Sequence, residues 1–190
     1  MSRPGSHASP DPAVNPARVI GIAGWSGAGK TTLLIRLIPV LAQRGLRVAT
    51  LKHAHHAFDV DQPGKDSYEH RKAGASEVIV SSARRWVVMH EVGDAAEASL
   101  ADLLRKVSPC DLVLVEGFKH APLPKVEVFR RSVGKPALHA EDEHIVAIAT
   151  DEAPPAARVP VVDVNDIAAV ADLICERAEP LASVLAALEA

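Results

Sequence analysis

Aromatic side chains are scarce in this chain. Phe, Trp and Tyr together make up 3% of its 190 residues, which leaves few platforms on which bases could stack. A formal net charge of −3 adds no broad basic face, so nucleic acid is not an expected partner. Cysteine is equally rare: Cys110 and Cys175 form no C-x-x-C pair and no disulfide framework, which fits two reduced thiols in a cytoplasmic protein. No apolar run approaches the roughly eighteen residues needed to cross a bilayer, and the first residues lack a hydrophobic signal core. The chain is therefore expected to be cytoplasmic, neither exported nor membrane-spanning.

What is present begins with a polar tail. Residues 1–17 carry Pro4, Pro10, Pro12 and Pro16 among Ser, Gly, His and Asp, a composition that neither buries apolar surface nor sustains regular hydrogen bonding. One folded domain is expected over 18–190. It opens on a β-branched run, Arg18 to Ala23, followed by Gly24-Trp25-Ser26-Gly27-Ala28-Gly29-Lys30-Thr31, a match to G-x-x-x-x-G-K-[ST]. Leucines and isoleucines at helical spacing follow from Thr32. Strand, glycine loop and helix form the setting in which that motif binds nucleotide phosphates. Glycines let successive N–H groups turn inward on an anion, with the positive end of the helix dipole behind them. Lys30 would reach the β- and γ-phosphates, and the Thr31 hydroxyl would hold Mg²⁺.

The helix after the loop is expected to run to Arg44 and stop at Gly45, with a kink at Pro39. Leu46–Leu51 reads as a second strand and Lys52–Gly64 as a loop at its end. Asp66 is placed to cap a short helix through Arg71 and Lys72. Residues 76–82 and 85–90 read as strands too close for a crossover helix, hence an antiparallel hairpin inserted in the α/β pattern. Asp94 with Glu97 resembles a capping box opening a helix to about Val107. Leu112–Val115, four consecutive apolar residues between Asp111 and Glu116, reads as a strand buried on both faces. Strands over 125–130, 145–149 and 159–162 follow, then helices over 166–178 and 181–190. The fold class expected is α/β, a three-layer P-loop NTPase with a mostly parallel central sheet and an inserted antiparallel hairpin.

Ligands of an open α/β sheet lie beyond the carboxyl ends of its strands. Glu116 stands at such an end, suited to Mg²⁺ or its water shell, whereas Asp111 lies at the opposite end and reads as a strand start. Asp59 and Asp61 follow the second strand, where a carboxylate could approach the metal. Mg²⁺ takes only one or two protein carboxylates, so not all three acids can be direct ligands. The candidate metal donors are thus Thr31, Glu116, Asp59 and Asp61; Lys30 and Glu116 are the catalytic candidates. Nucleotide contacts are assigned to Gly24, Trp25, Ser26, Gly27, Ala28, Gly29, Lys30, Thr31 and Thr32. No N-K-x-D signature for guanine occurs, but Asp151 ends the 145–149 strand where a base could lie. His53, His55 and His56 lack partners at zinc or nickel spacing. Lys52, Lys65, Lys119 and Arg71 are candidates for anion contacts. No water-positioning Gln is evident, so hydrolysis is expected to be slow without a partner.

The blocks Lys52-His53-Ala54-His55-His56, Pro63-Gly64-Lys65-Asp66-Ser67 and Val115-Glu116-Gly117-Phe118-Lys119-His120, in that order after the glycine loop, are more specific than the loop alone. Over roughly residues 18–178 the chain resembles the MobB family of molybdopterin-guanine dinucleotide biosynthesis adaptors. Ala57 departs from the pattern where some relatives carry an acid. The resemblance implies a homodimer that binds GTP and hydrolyses it weakly, with part of the sheet contributed across the interface. It also implies action beside a MobA-type guanylyltransferase as GMP is attached to the molybdenum cofactor. The cofactors it implies are GTP and Mg²⁺, and the basic and histidine-rich loops become candidate contacts for the anionic molybdopterin or the partner enzyme. Two alternatives stay open: a carrier module for molybdopterin or metal, and a small-molecule kinase with Arg84-Arg85 or Arg130-Arg131 as phosphate clamps.

Overall fold

β-Branched residues make Arg18–Ala23 the first strand, β1, and five of its six residues are buried. In the computed structural model, which describes residues 16–54, 58–152, 154 and 157–190, this strand is the centre of the molecule's main sheet. Parallel partners flank it on both sides. β5 (Leu112–Glu116) runs in register from Arg18↔Leu112 to Ile22↔Glu116, and β6 (Lys125–Phe129) from Gly21↔Lys125 to Ala23↔Glu127. With β2 (Val48–Lys52), β7 (Ile145–Thr150) and β8 (Val161–Asp163) the order is β2-β5-β1-β6-β7-β8, all parallel. A two-residue strand, β9 (Glu179–Pro180), pairs antiparallel with Arg18 and Val19, on the stretch of β1 that precedes its pairing with β6. Nothing in the sequence periodicity announced so short a strand.

Alternation along these strands produces the layers. Ile20, Ile22, Leu112, Leu114, Val126 and Val128 pack with Leu33, Leu37 and Leu41 of α1 (Lys30–Gln43) and Val170 and Ile174 of α4 (Ile167–Arg177). Val19, Val113 and Val115 face the other way, onto Leu100 and Leu104 of α3 (Leu100–Lys106) and Leu181 and Val184 of α5 (Leu181–Leu188). Each fully buried leucine, such as Leu37 or Leu41, stabilises the fold by roughly 1.5–3 kcal/mol. The expected three-layer α/β architecture is the one found. Helix α1 continues past Pro39, and α4 is capped by Asp166, whose side chain accepts from the Ala169 N–H at 3.0 Å.

Two local expectations need correction. The Asp94–Glu97 capping box does not form: α3 begins only at Leu100, because residues 94–97 are exposed and offer nothing larger than alanine to bury. Asp66 does not cap α2 (Asp66–Lys72); Lys65 holds that position without a side-chain bond, and Asp66 lies in the first turn, favourable to the dipole. The strand expected over 125–130 is found, and both of its polar residues before Phe129 are buried, Lys125 at 2% exposure and Glu127 at 0%.

The chain divides into two compact units, residues up to His53 with Leu100–Ala190, and Ala54–Ser99. The second contains α2 and a hairpin of β3 (Glu77–Ser81) and β4 (Trp86–His90), antiparallel from Glu77↔His90 to Ser81↔Trp86 and forming a sheet of its own. Val78 and Met89 are buried opposite each other, while Ile79, Val80, Trp86, Val87 and Val88 are exposed. No helix among the described residues is long and apolar enough to cross a membrane.

Candidate functional site

Between β1 and α1 the chain makes the expected glycine loop. Gly24 adopts φ 140° with its α-carbon against β6: a β-carbon there would lie 2.5 Å from the Val128 carbonyl oxygen. Only glycine fits. Inside the loop Ala28 is buried and its N–H closes a turn on the Trp25 carbonyl at 3.1 Å. Gly29 is the N-cap of α1, with no side chain to satisfy the helix's first amides. The N–H groups of Gly27, Gly29, Lys30, Thr31 and Thr32 therefore meet no protein acceptor among the described residues. Space over Gly27 is open, with no atom within 4 Å of a β-carbon built there. Open space lined by donors is an anion cradle.

Lys30 Nζ folds back over the loop, donating to the carbonyls of Gly24 at 2.8 Å and Trp25 at 3.1 Å. Burial pushes its ammonium below the usual lysine range; the negative charge of Glu116 opposes this and Lys52 adds to it. Glu116, level with Ile22 at the carboxyl end of β5, is 12% exposed and 4.0 Å from Lys52 Nζ. The first unit thus brings Lys30, Glu116 and Lys52 within electrostatic reach of one another, while Thr31, the next residue of α1, is exposed. Asp111 is at the other end, as expected. There it accepts from the Arg47 N–H at 2.7 Å and pairs with the Arg47 guanidinium, which holds its carboxyl below the usual range.

Two loops converge on Trp25. Its indole N–H donates to the Pro136 carbonyl at 2.7 Å, while Lys119 Nζ lies 4.2 Å and Lys135 Nζ 5.8 Å from the ring centre. Buried charges hold both loops in place. Lys125 Nζ donates to the carbonyls of Lys119 at 3.0 Å and Ala121 at 2.9 Å and pairs with Asp142 at 2.8 Å. The Glu127 carboxylate accepts from the N–H groups of Leu138 at 2.6 Å and His139 at 3.0 Å, with His139 Nδ1 at 3.2 Å. Neither Lys125, Glu127 nor Lys135 is visible as a site residue in the sequence; the available signal is a pair of opposite charges two residues apart on one strand.

Asp151 ends β7 as expected, and its carboxylate is held by Arg130 at 2.6 Å, which keeps it below the usual carboxylate range. Arg131 pairs with Glu152 beside it. Of the two arginine pairs considered as a kinase clamp, Arg130-Arg131 is thus engaged with acids. In the second unit, Asp59 takes both oxygens to Arg71 Nη2 at 2.8 Å, and Arg71 also reaches Glu91 at 2.8 Å. Asp61 accepts from the Ser67 hydroxyl at 2.9 Å, with its other oxygen facing Arg71 Nε at 3.5 Å. Arg71 is accordingly neutralised by acids of its own unit rather than left for an outside anion. No cluster of three or more His, Cys, Asp or Glu suited to a metal occurs among the described residues. His53 stacks on Phe118 with ring centres 5.1 Å apart; His55, His56 and Ala57 lie outside the described residues.

Residues 19–151 match the family model for molybdopterin guanine dinucleotide synthesis protein B. The chain is 47% identical over 161 residues to the molybdopterin-guanine dinucleotide biosynthesis adapter protein of Escherichia coli, a match spanning 83% of this chain and 91% of that one. The Haemophilus influenzae protein of the same name is 41% identical over 160 residues, 84% of this chain and 89% of its own. Among solved structures, a crystal structure of molybdopterin-guanine biosynthesis protein B superposes with a TM-score of 0.67 at 28% identity, covering 83% of this chain and 97% of that one. Bacillus subtilis MobB shares the fold with a TM-score of 0.66, over 85% of this chain and 98% of that one, at 24% identity. On the sequence match and on the glycine loop that opens it, the chain belongs to the molybdopterin guanine dinucleotide synthesis protein B family, MobB.

Proposed function

We propose that this protein is a GTP-binding adapter in molybdopterin guanine dinucleotide biosynthesis, working in the cytoplasm beside a MobA-type guanylyltransferase that joins GMP to the molybdenum cofactor. The observation that carries the nucleotide reading is the set of unbonded amides of Gly27, Gly29, Lys30, Thr31 and Thr32 around an open cradle, with Lys30 poised over it. In this reading the amides bind the phosphates, and Lys30 exchanges its two loop carbonyls for phosphate oxygens. Its lowered pKa marks an ammonium short of solvation, which an anion would supply. Mg²⁺, when bound, would neutralise phosphate charge; the Thr31 hydroxyl and Glu116 are the residues of the first unit suited to it or to its waters. Asp151 stands at the strand end where a carboxylate would select guanine.

Hydrolysis is slow in this proposal. The described residues that meet the loop include no glutamine to aim a water, and Arg131 is paired with Glu152. A second copy of the chain is the proposed cover for the hairpin, whose Ile79, at 63% exposure, and Trp86, at 67%, stand on a two-stranded sheet with open edges. Titration calorimetry tests the core of the proposal: GTP with Mg²⁺ should bind, ATP at least tenfold more weakly, and Lys30→Ala should abolish binding with an unchanged melting curve. Equal affinity for ATP, or undiminished binding by Lys30→Ala, would refute it.

A further inference from the structure

We infer that Arg130 is a phosphate-contacting residue, held by Asp151 until a polyphosphate enters the loop; this rests on the assignment of residues 24–32 to nucleotide phosphates. Arg130 follows β6 directly and Asp151 follows β7, so both emerge at the edge of the sheet where β1 gives way to the glycine loop. The guanidinium lies against that loop. A β-carbon built on Gly29 would find a single atom within 4 Å, the Arg130 Nε at 4.0 Å. Gly29 caps α1, so this cation stands beside the unbonded amides at the helix start.

Its hydrogen bonding is incomplete. Of the five N–H bonds of a guanidinium, one set on Nη1 meets Asp151 Oδ2 at 2.6 Å, and those on Nε and Nη2 meet no acceptor among the described residues. The side chain is 29% exposed, sheltered enough to be fixed yet open on the loop side. A guanidinium in this position can keep Asp151 on one edge while turning another edge to a phosphate, the fork geometry that suits arginine and not lysine. Without it, Asp151 would repel each negative charge brought into the cradle. A purely structural clasp between β6 and β7 is already supplied by Arg131 and Glu152, the next residue of each strand end.

Inorganic tripolyphosphate, which has no base and no ribose, is the probe that isolates this contact. Calorimetry with the full chain should show Arg130→Ala binding it about tenfold more weakly than wild type, the loss of one charge-assisted contact. Arg130→Lys should fall in between. Asp151→Asn should bind it several-fold more tightly, because the arginine is released and a repelling charge removed. Opposite signs from the two halves of one ion pair are not what a structural clasp gives. The inference is overturned if Arg130→Ala retains wild-type affinity, or if Asp151→Asn weakens binding as much as Arg130→Ala does. Should wild type itself fail to bind tripolyphosphate, or Lys30→Ala bind it undiminished, the phosphate-loop assignment falls first and takes Arg130 with it. Melting curves identify any variant that fails to fold; since both residues are partly exposed, Arg130→Lys and Asp151→Asn remain informative in that event.

Discussion

Replacing Glu127 by Gln tests whether one buried carboxylate fixes the segment that holds Trp25 against the loop. Glu127 has no exposure and three donors, the Leu138 and His139 amides and the His139 ring. Glutamine keeps the shape but has one oxygen, so one amide keeps a partner and the other faces an NH₂ group. A hydrogen bond to a buried charge contributes about 1.5–3 kcal/mol, and an amide left unpaired costs about 1–3 kcal/mol. Burying a neutral group in place of a charge offsets part of this, which leaves a net loss of about 2–3 kcal/mol. For a domain of this size that lowers the melting temperature by roughly 4–12 °C. The loss should also be local. Amide exchange at Leu138 and His139 should quicken more than in the central strands, and because Pro136 accepts the Trp25 indole N–H, the emission of Trp25 should shift to the red. A Trp86→Phe background leaves Trp25 as the sole tryptophan. Stability within about 0.5 kcal/mol of the parent, with unchanged exchange at those two amides, would refute the reasoning.

Gly117→Ala should destabilise the fold by about 2–4 kcal/mol in urea, since Gly117 has φ 97° and a new β-carbon would lie 2.9 Å from the His53 carbonyl oxygen. Burial raises the Asp142 carboxyl, but its bonds to Lys125 and the His144 N–H outweigh this and set it below the ordinary 3.8. The stability it supplies is thus complete above about pH 4 and lost as pH falls through its folded value, so Asp142→Asn should flatten the acid limb of the stability curve in that window. Sedimentation should show Trp86→Glu shifting the protein toward monomer; an unchanged dimer would remove the hairpin from the interface.

Much of this fold is legible in the sequence because it is written in short periods. β1 and β5 are near-continuous apolar runs, α1 places Leu33, Leu34, Leu37 and Leu41 on one face, and the glycine loop sits between strand and helix. Pairings between distant residues escape such a reading. Lys125 and Glu127 look solvent-facing until the 119–121 and 138–139 segments close over them, and Asp59 looks free until Arg71, twelve residues on, takes both its oxygens. The capping motif at Asp94 failed because a cap fixes where a helix starts only when the following turn has something to bury. Trp25 shows the limit within the site itself: its position in the motif is evident, but the two lysines and the carbonyl that meet it come from other loops.

Gly21 and Lys125 pair across β1 and β6, and a β-carbon on Gly21 would lie 2.5 Å from the Lys125 γ-carbon. The two positions therefore share one side chain's worth of volume. A lineage that enlarges residue 21 must shorten residue 125, and the shortened chain no longer delivers an ammonium to the carbonyls of Lys119 and Ala121. The loop carrying Lys119 onto Trp25 would then need a new anchor. A designer grafting this loop onto another P-loop scaffold would have to transplant a glycine in the strand before it as well, four positions ahead of the residue that meets Lys119.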